Sequence, residues 1–299
     1  MAAMTENPPA AAPDAPARTV AYGMVERRGW GFWLTHLGLI LGIALVCFPI
    51  WVTFVASTVT QADIARPPMP LIPGDRLIEN YATALFSTAN VGLMLTNSLV
   101  MALGITIGKI AISIVSAYAI VYFRFPFRMG FFWLIFLTLM LPVEVRIVPT
   151  YEVVAGFGML NSYSGLILPL IASATATFLF RQLFLTIPDE LAEAARIDGA
   201  GPIRFFFDIL LPMSRTNIAA LFVILFIYGW NQYLWPLLVT TRPEYNTVVM
   251  GLQRIMPSND DIQNWPVVMA TAMLAMLPPV LVVVVMQSLF VKGLVESEK

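Results

Sequence analysis

The chain has 299 residues, of which 59% are hydrophobic and only 12% are charged. An ordinary soluble domain carries about a quarter charged residues, so this composition is typical of a membrane protein. A formal net charge of −1 excludes the basic surface with which proteins bind nucleic acid.

The N-terminal part of the chain divides into a polar tail and a long apolar run. Residues 1–29 are rich in Ala and Pro, which predicts a disordered tail because such a segment buries too little surface to offset chain entropy. Residues 32–56 contain no Asp, Glu, Lys or Arg, and this run exceeds the ~20 residues that cross a bilayer as a helix. It is too long for the apolar part of a signal peptide, so we expect an uncleaved membrane helix.

Five further apolar runs follow, which predicts an all-α, polytopic membrane protein with six transmembrane helices over residues 30–299. These runs cover residues 93–122, 129–149, 163–185, 218–241 and 267–291. Six helices place both termini on one side of the membrane. With the termini in the cytoplasm, eleven Lys and Arg residues lie inside and four outside, as the positive-inside rule requires. The longest cytoplasmic loop is then 186–217, which we call the inner loop.

The inner loop predicts two short helices. Thr186 and Asp189 have the spacing of a helix N-terminal capping box, and Pro188 suits a first helical turn. Gly199 should end this first helix, and Pro202 should begin a second one. A narrow apolar stripe is formed by Leu191, Ala194 and Ala195. Helices of this length are marginal alone, so the loop must be covered by something else.

The inner loop also carries a spaced motif. Glu193-Ala194-Ala195 is followed after three residues by Gly199, and after nine more by Ile209–Pro212. This spacing resembles the EAA loop of bacterial ABC-importer permeases. Within that family the chain is most similar to permeases of glycerol-3-phosphate importers, from about residue 30 to the C-terminus. The stretches that carry this similarity include "TLMLPVEVRIVPT", "ASATATFLFRQ", "DELAEAARIDGA", "FIYGWNQYLWPLL" and the terminal "ESEK".

The resemblance implies a transport subunit in a bacterial inner membrane that translocates glycerol-3-phosphate or a related glycerophosphodiester. A permease of the same architecture for a neutral sugar or oligosaccharide is the alternative. The implied partners are a second permease subunit, two copies of a cytoplasmic ATPase subunit, a periplasmic substrate-binding protein and the lipid bilayer. The loop would be the coupling helix that docks on the ATPase. The residues expected to serve this coupling are Glu190, Glu193, Ala194, Ala195, Asp198, Gly199 and Pro212.

The chain is expected to bind no cofactor and to hydrolyse no ATP, so ATP and Mg would be bound by the partner ATPase. The segment "GITIGKI" (104–110) resembles a phosphate-binding loop. It has only three residues between its glycines, and Ile110 stands where Ser or Thr would bind Mg²⁺. Gly104 and Gly108 instead predict a face of small residues for close helix packing.

Three ionisable residues fall inside the predicted spans and are candidates for a solute pathway: Lys109, Glu144 and Arg146. Glu144 and Arg146 are two residues apart, so they point to different sides of a helix and cannot easily pair. Both a pathway role and static ion pairs with other helices stay open, including a pair between Lys109 and Glu144. Pro142 and Pro149 are expected to break this helix.

The fifth predicted span contains a polar and aromatic run that includes Trp230, Asn231, Gln232 and Trp235. Counted from Ile218, the run should lie past the middle of the bilayer. Amide groups there need hydrogen bonds, either from solute hydroxyls or from neighbouring helices. The four residues are therefore candidates for lining the solute pathway.

Overall fold

The computed structural model describes residues 30–86, 90–140, 143–256 and 264–296, and every regular element within these ranges is a helix. This confirms the all-α class, while the predicted tail (1–29) lies outside the described residues. The α-helices in chain order are α1 Trp30–Ala56, α2 Gln61–Ala65, α3 Leu77–Phe86, α4 Val91–Tyr122, α5 Arg128–Leu137, α6 Val143–Gly156, α7 Tyr163–Ile167, α8 Ala174–Thr186, α9 Asp189–Ile197, α10 Pro202–Phe205, α11 Leu211–Met213, α12 Arg215–Trp230, α13 Leu234–Val239, α14 Val248–Ile255 and α15 Trp265–Glu296.

The chain divides into two compact units, Met1–Pro49 and Ile50–Lys299. The described part of the first unit is the N-terminal portion of α1, whose side chains are apolar and almost all exposed. An exposed apolar helix of this length is suited to lipid. The second unit contains α2 to α15, and all the sites described below lie within it.

Among the described residues, α1, α4 and the segment Trp265–Ser288 are long and apolar enough to cross a membrane unbroken. Two further spans are helix pairs with a bend: Tyr163–Leu170 meets Ala174–Thr186 at 47°, and Pro202–Met213 meets Arg215–Trp230 at 71°. By length and composition, the described residues therefore contain up to five spans.

The remaining predicted span, 129–149, is not one helix. α5 ends at Leu137 and a 3-10 turn follows over Thr138–Met140, whereas α6 runs from Val143 to Gly156. The predicted break at Pro149 is wrong, because α6 continues through this residue. Proline is tolerated inside membrane helices where neighbouring groups and local adjustments satisfy the carbonyl that it leaves without a donor. Pro142 lies outside the described residues.

The predicted fifth span, 218–241, is also interrupted. α12 ends at Trp230, with Asn231 as its C-cap, and α13 begins at Leu234. Pro236 explains the break, because it has no N–H with which to continue the hydrogen-bond ladder back to Gln232. The polar run therefore lies at a helix break and not inside a continuous helix.

α4 is the helix on which the broken spans pack. A Cβ atom added at Gly104 would lie 2.7 Å from Ile167 Cδ1, and one added at Gly108 would lie 2.9 Å from Ile171 Cβ. On α12, a Cβ at Gly229 would approach the Cα of Ala102 to 3.0 Å. These contacts agree with the predicted small face, because only glycine permits such close approach.

Buried polar groups hold the ends of the broken spans to α4. Asn97 is fully buried and donates from Nδ2 to the backbone oxygens of Glu244 (2.7 Å) and Asn246 (2.9 Å). Its Oδ1 accepts a hydrogen bond from the Tyr163 hydroxyl at 2.6 Å. One amide group thus connects α4 to the start of the fourth span and to the segment after α13.

We expect Gly108→Val to destabilise the membrane domain by about 1–3 kcal/mol, because the added branch overpacks the contact with Ile171. The measurement is the thermal midpoint of the purified complex together with its level in the membrane. Gly42→Val is the matched control, because a Cβ at Gly42 in α1 meets no atom within 4 Å. Equal midpoints for the two variants would contradict the packing role of Gly108.

Candidate functional site

A cavity of about 240 Å³ lies where the break between α7 and α8 and the break between α12 and α13 face α4 and α6. Its lining includes Ala172 at the break of the fourth span and Gln232 at the break of the fifth. The volume is below the ~300 Å³ at which sites for drug-sized ligands begin, so it suits a small solute. Breaks in membrane helices commonly occur where solutes and ions bind, because the freed backbone groups need polar surroundings.

Four of the seven residues predicted for the solute pathway line this cavity: Lys109, Arg146, Gln232 and Trp235. Thr150 and Tyr228, which the sequence analysis did not select, also line it. Each lies one helical turn from a selected residue, since Thr150 is four positions after Arg146 and Tyr228 four before Gln232. That i, i+4 spacing was the available signal for both.

Two cations share the cavity. Lys109 is only 7% exposed, and its Nζ lies 3.7 Å from the centroid of the Tyr228 ring. Arg146 is the more exposed of the two. Among the side chains that the structure describes, no carboxylate lies within 4 Å of either cation. The Glu144 side chain lies outside the described residues, so its role stays a prediction.

Other groups at the break of the fifth span fix the walls of the cavity. Gln232 Nε2 donates to Tyr228 O at 3.1 Å, which satisfies one carbonyl at the end of α12. Trp235 Nε1 donates to Gly165 O at 3.2 Å and so joins α13 to α7. Trp235 is therefore a buried side chain that lines the cavity, and its indole N–H is already hydrogen-bonded within the chain.

The other two residues of the run do not line the cavity. Trp230 is buried beside Phe226, and its Nε1 donates to Ala275 O at 3.1 Å, which joins α12 to α15. Asn231 is exposed at the end of α12. The geometry therefore favours a contact between helices, and not a place in the solute pathway, as the role of Trp230.

The inner loop has the predicted two-helix form, but its first helix begins differently. Thr186 is the last residue of α8, where its hydroxyl donates to Leu183 O at 2.7 Å, and Pro188 occupies the N-cap position of α9. The predicted capping box is therefore wrong. Proline disfavours helical geometry in the preceding residue, and Ile187 is accordingly extended with ψ 126°.

The turn between α9 and α10 depends on Gly199, as predicted. Its φ is +73°, a left-handed conformation that strains residues with a Cβ. Ala200 N donates to Ala195 O at 2.8 Å and closes the end of α9. Pro202 begins α10, and a π-helical turn over Phe206–Leu210 precedes α11, which contains Pro212.

The inner face of the loop is covered by its own chain. Ala195 packs in a cluster with Phe184 of α8 and Phe205 of α10, which also includes residues of α4 and α12. The Tyr118 hydroxyl of α4 donates to Pro202 O at 2.9 Å. Leu191 and Ala194 are exposed, so the predicted apolar stripe reaches the core only through Ala195.

The outer face of the loop combines exposed acids with exposed isoleucines. Ile197 is 86% exposed and Ile203 is 75% exposed. The predicted coupling residues Glu190, Glu193, Ala194, Asp198 and Gly199 are also exposed. Helical periodicity could not identify the two isoleucines, because it does not say which face of a short helix turns away from the bundle.

Comparison with known families identifies the fold and its general activity. Residues 109–296 match the family model described as "Binding-protein-dependent transport system inner membrane component". The chain belongs to this family. It is a permease, a multi-pass transport subunit of the inner membrane, and the matched region contains both the cavity and the inner loop.

The permease is similar over its length to curated relatives. It is 62% identical over 282 residues to the sn-glycerol-3-phosphate transport system permease protein UgpE of Agrobacterium fabrum, covering 92% of this chain and 100% of that protein. The protein of the same name from Escherichia coli O1:K1 is 56% identical over 281 residues, with the same coverage.

A solved structure shares the fold. A chain of a bacterial ABC transporter involved in the import of the acidic polysaccharide alginate superimposes with a TM-score of 0.77 at 20% identity. The match covers 86% of this permease and 96% of that chain. At this identity the likeness establishes the architecture.

We expect Gly199→Val to disrupt the turn of the inner loop while the membrane helices stay inserted. A β-branched residue at φ +73° is strained by about 1–3 kcal/mol, which corresponds to roughly a fivefold to hundredfold change in an equilibrium such as docking. The measurement is solute-stimulated ATP hydrolysis by the assembled transporter, normalised to permease content.

Gly201→Val is the matched control for Gly199→Val. A Cβ at either glycine meets no atom within 4 Å, but Gly201 has φ −70° and ψ 169°, which valine adopts without strain. If the two variants reduce stimulated hydrolysis equally, the left-handed turn has no special role.

Proposed function

We propose that this permease passes glycerol-3-phosphate, or a related glycerophosphodiester, from the periplasm to the cytoplasm as one half of the membrane part of an ABC importer. One observation carries the proposal: Lys109 and Arg146 line the same cavity with no carboxylate within ion-pair distance among the described side chains. The names of the full-length relatives support the same solute. A neutral sugar, the alternative solute, would bring no counter-charge to these two cations, which have no carboxylate partner among the described side chains.

The electrostatic argument concerns the cost of burying charge. A lysine ammonium in the interior of a membrane protein costs several kcal/mol unless it is paired or hydrated. A phosphate group that enters the cavity would offset part of this cost by direct attraction to Lys109 and Arg146. Thr150 and Gln232 supply hydroxyl and amide groups for the hydroxyls of the solute.

The proposed partners follow from the same assignment. A second permease would complete the membrane pore, and a periplasmic binding protein would deliver the solute. Two ATPase subunits would bind ATP and Mg²⁺ and supply the energy. In this proposed assembly, the inner loop and both termini would lie in the cytoplasm.

The inner loop is the proposed docking element for an ATPase subunit. Its exposed isoleucines offer an apolar contact, and exposed charged residues of both signs, with acids in excess, lie near them in the chain. A central apolar contact with a polar rim is the usual composition of a protein interface. An amphipathic loop lying on the bilayer is the alternative, and the acidic face argues against it because such helices are usually basic.

The proposed solute is tested by uptake into proteoliposomes that contain the complete importer and its binding protein. We expect Lys109→Leu and Arg146→Leu each to lower the maximum rate of glycerol-3-phosphate uptake by about tenfold, because a desolvated charge contact is lost. Lys109→Arg should retain more activity than Lys109→Leu.

Arg66→Leu is the control for lost positive charge, because Arg66 is exposed and lies outside the cavity, just after α2. Uptake is compared in the presence of unlabelled glycerophosphocholine and of maltose, and only the former should compete. Normal uptake by both cavity variants, or competition by maltose alone, would contradict the assignment of an anionic solute.

We expect Ile197→Asp to weaken association with the ATPase subunit by about tenfold or more, since a buried apolar contact is replaced by a charge beside other acids. The measurement is the amount of ATPase that copurifies with the permease. Ile72→Asp is the matched control, because Ile72 is similarly exposed at 79% but lies between α2 and α3, outside the inner loop. Equal copurification with both variants would show that Ile197 is not in the interface.

A further inference from the structure

We propose that Tyr228 is the positioning residue that holds the Lys109 ammonium in the cavity, where no described carboxylate lies within 4 Å, ready for an anionic solute. The inference rests on the proposed function. Tyr228 lies near the end of α12, half-buried, with its ring face 3.7 Å from Lys109 Nζ.

The backbone around Tyr228 fixes the ring against α4. Gly229, the next residue, packs against Ala102 so closely that a Cβ would lie 3.0 Å from the Ala102 Cα. Lys109 is seven residues after Ala102, which is two helical turns along the same side of α4. Gln232 donates to Tyr228 O and satisfies that carbonyl at the last turn of α12. The ring and the ammonium are therefore held by two helices in close contact.

An aromatic face is suited to this task because it attracts a cation without carrying a negative charge. A carboxylate in the same place would neutralise Lys109 and would compete with the phosphate of the solute. Arg146 lines the same cavity, and its positive charge repels the ammonium. Among the described residues, the ring contact opposes this repulsion and holds the flexible lysine side chain in place.

Uptake kinetics in the reconstituted importer test whether Tyr228 acts through Lys109. We expect Tyr228→Phe to stay within about twofold of the unaltered importer, because phenylalanine keeps the ring face, and Tyr228→Leu to lower glycerol-3-phosphate uptake by about tenfold. In a Lys109→Met background, Tyr228→Leu should cause no further loss. If the losses caused by Tyr228→Leu and Lys109→Met multiply in the double variant, the proposal is overturned. It is also overturned if Tyr228→Phe is as slow as Tyr228→Leu.

A spectroscopic measurement tests the contact without any assumption about the solute. The sequence contains only three lysines, Lys109, Lys292 and Lys299. In the assembled complex, reductive methylation with ¹³C-formaldehyde gives a dimethyl-lysine signal for Lys109, which is assigned by its loss in Lys109→Arg. A ring above the ammonium shifts this signal upfield, so the shift should persist in Tyr228→Phe and disappear in Tyr228→Leu.

The two measurements distinguish the possible failures. An importer that does not take up glycerol-3-phosphate contradicts the proposed function. Normal uptake of glycerol-3-phosphate by Lys109→Met overturns the present inference, because Tyr228 is proposed to act through Lys109. An unshifted signal from the unaltered importer overturns the role of Tyr228 whatever the solute is. A slow Lys109→Met variant beside a Tyr228→Leu variant of normal rate overturns only the present inference.

Discussion

The structure depends on the close approach of α4 to the broken helices around it. Gly104 and Gly108 allow the fourth span to reach the α4 backbone, and Gly229 allows α12 to do the same. In hydrocarbon, unpaired backbone groups are tolerated only where protein or a polar cavity covers them. The breaks near Ala172 and Asn231 are therefore possible because α4 lies beside them. The cavity is located where these breaks occur, and one of its polar residues, Gln232, satisfies a carbonyl at the end of α12.

Much of this arrangement could be predicted from local properties of the sequence. The apolar runs indicated membrane helices, and the cost of charge in a bilayer selected Lys109 and Arg146 before any fold was known. Gly199 was identified because a helix end often requires a left-handed residue. The predictions for the charged residues and for Gly199 depend on properties that single residues carry by themselves, so tertiary packing did not alter them. The apolar runs were less informative, because the runs 129–149 and 218–241 are each divided between two helices.

Other features depended on tertiary context. Thr186 has the correct spacing for a cap, but Pro188 imposes an extended residue that moves the helix start. A tyrosine such as Tyr228 is common in membrane helices, and only the position of Lys109 on another helix gives it a distinct role. The exposure of Ile197 likewise follows from which side of α9 rests on the bundle. Single-sequence periodicity contains none of this information.

α4 connects the cavity directly to the inner loop. Lys109 lines the cavity, and nine residues later, at about 13.5 Å along the helix, the Tyr118 hydroxyl bonds to the backbone of Pro202. A helix of this kind transmits displacement between two ends as a nearly rigid body. Thermodynamic linkage then imposes reciprocity on equilibrium binding at the two places. If bound solute changes the affinity of the inner loop for its partner by some factor, the bound partner must change the affinity of the cavity for solute by the same factor. Because this reciprocity favours neither direction, the direction of transport must come from an irreversible step that is coupled to the movement of α4.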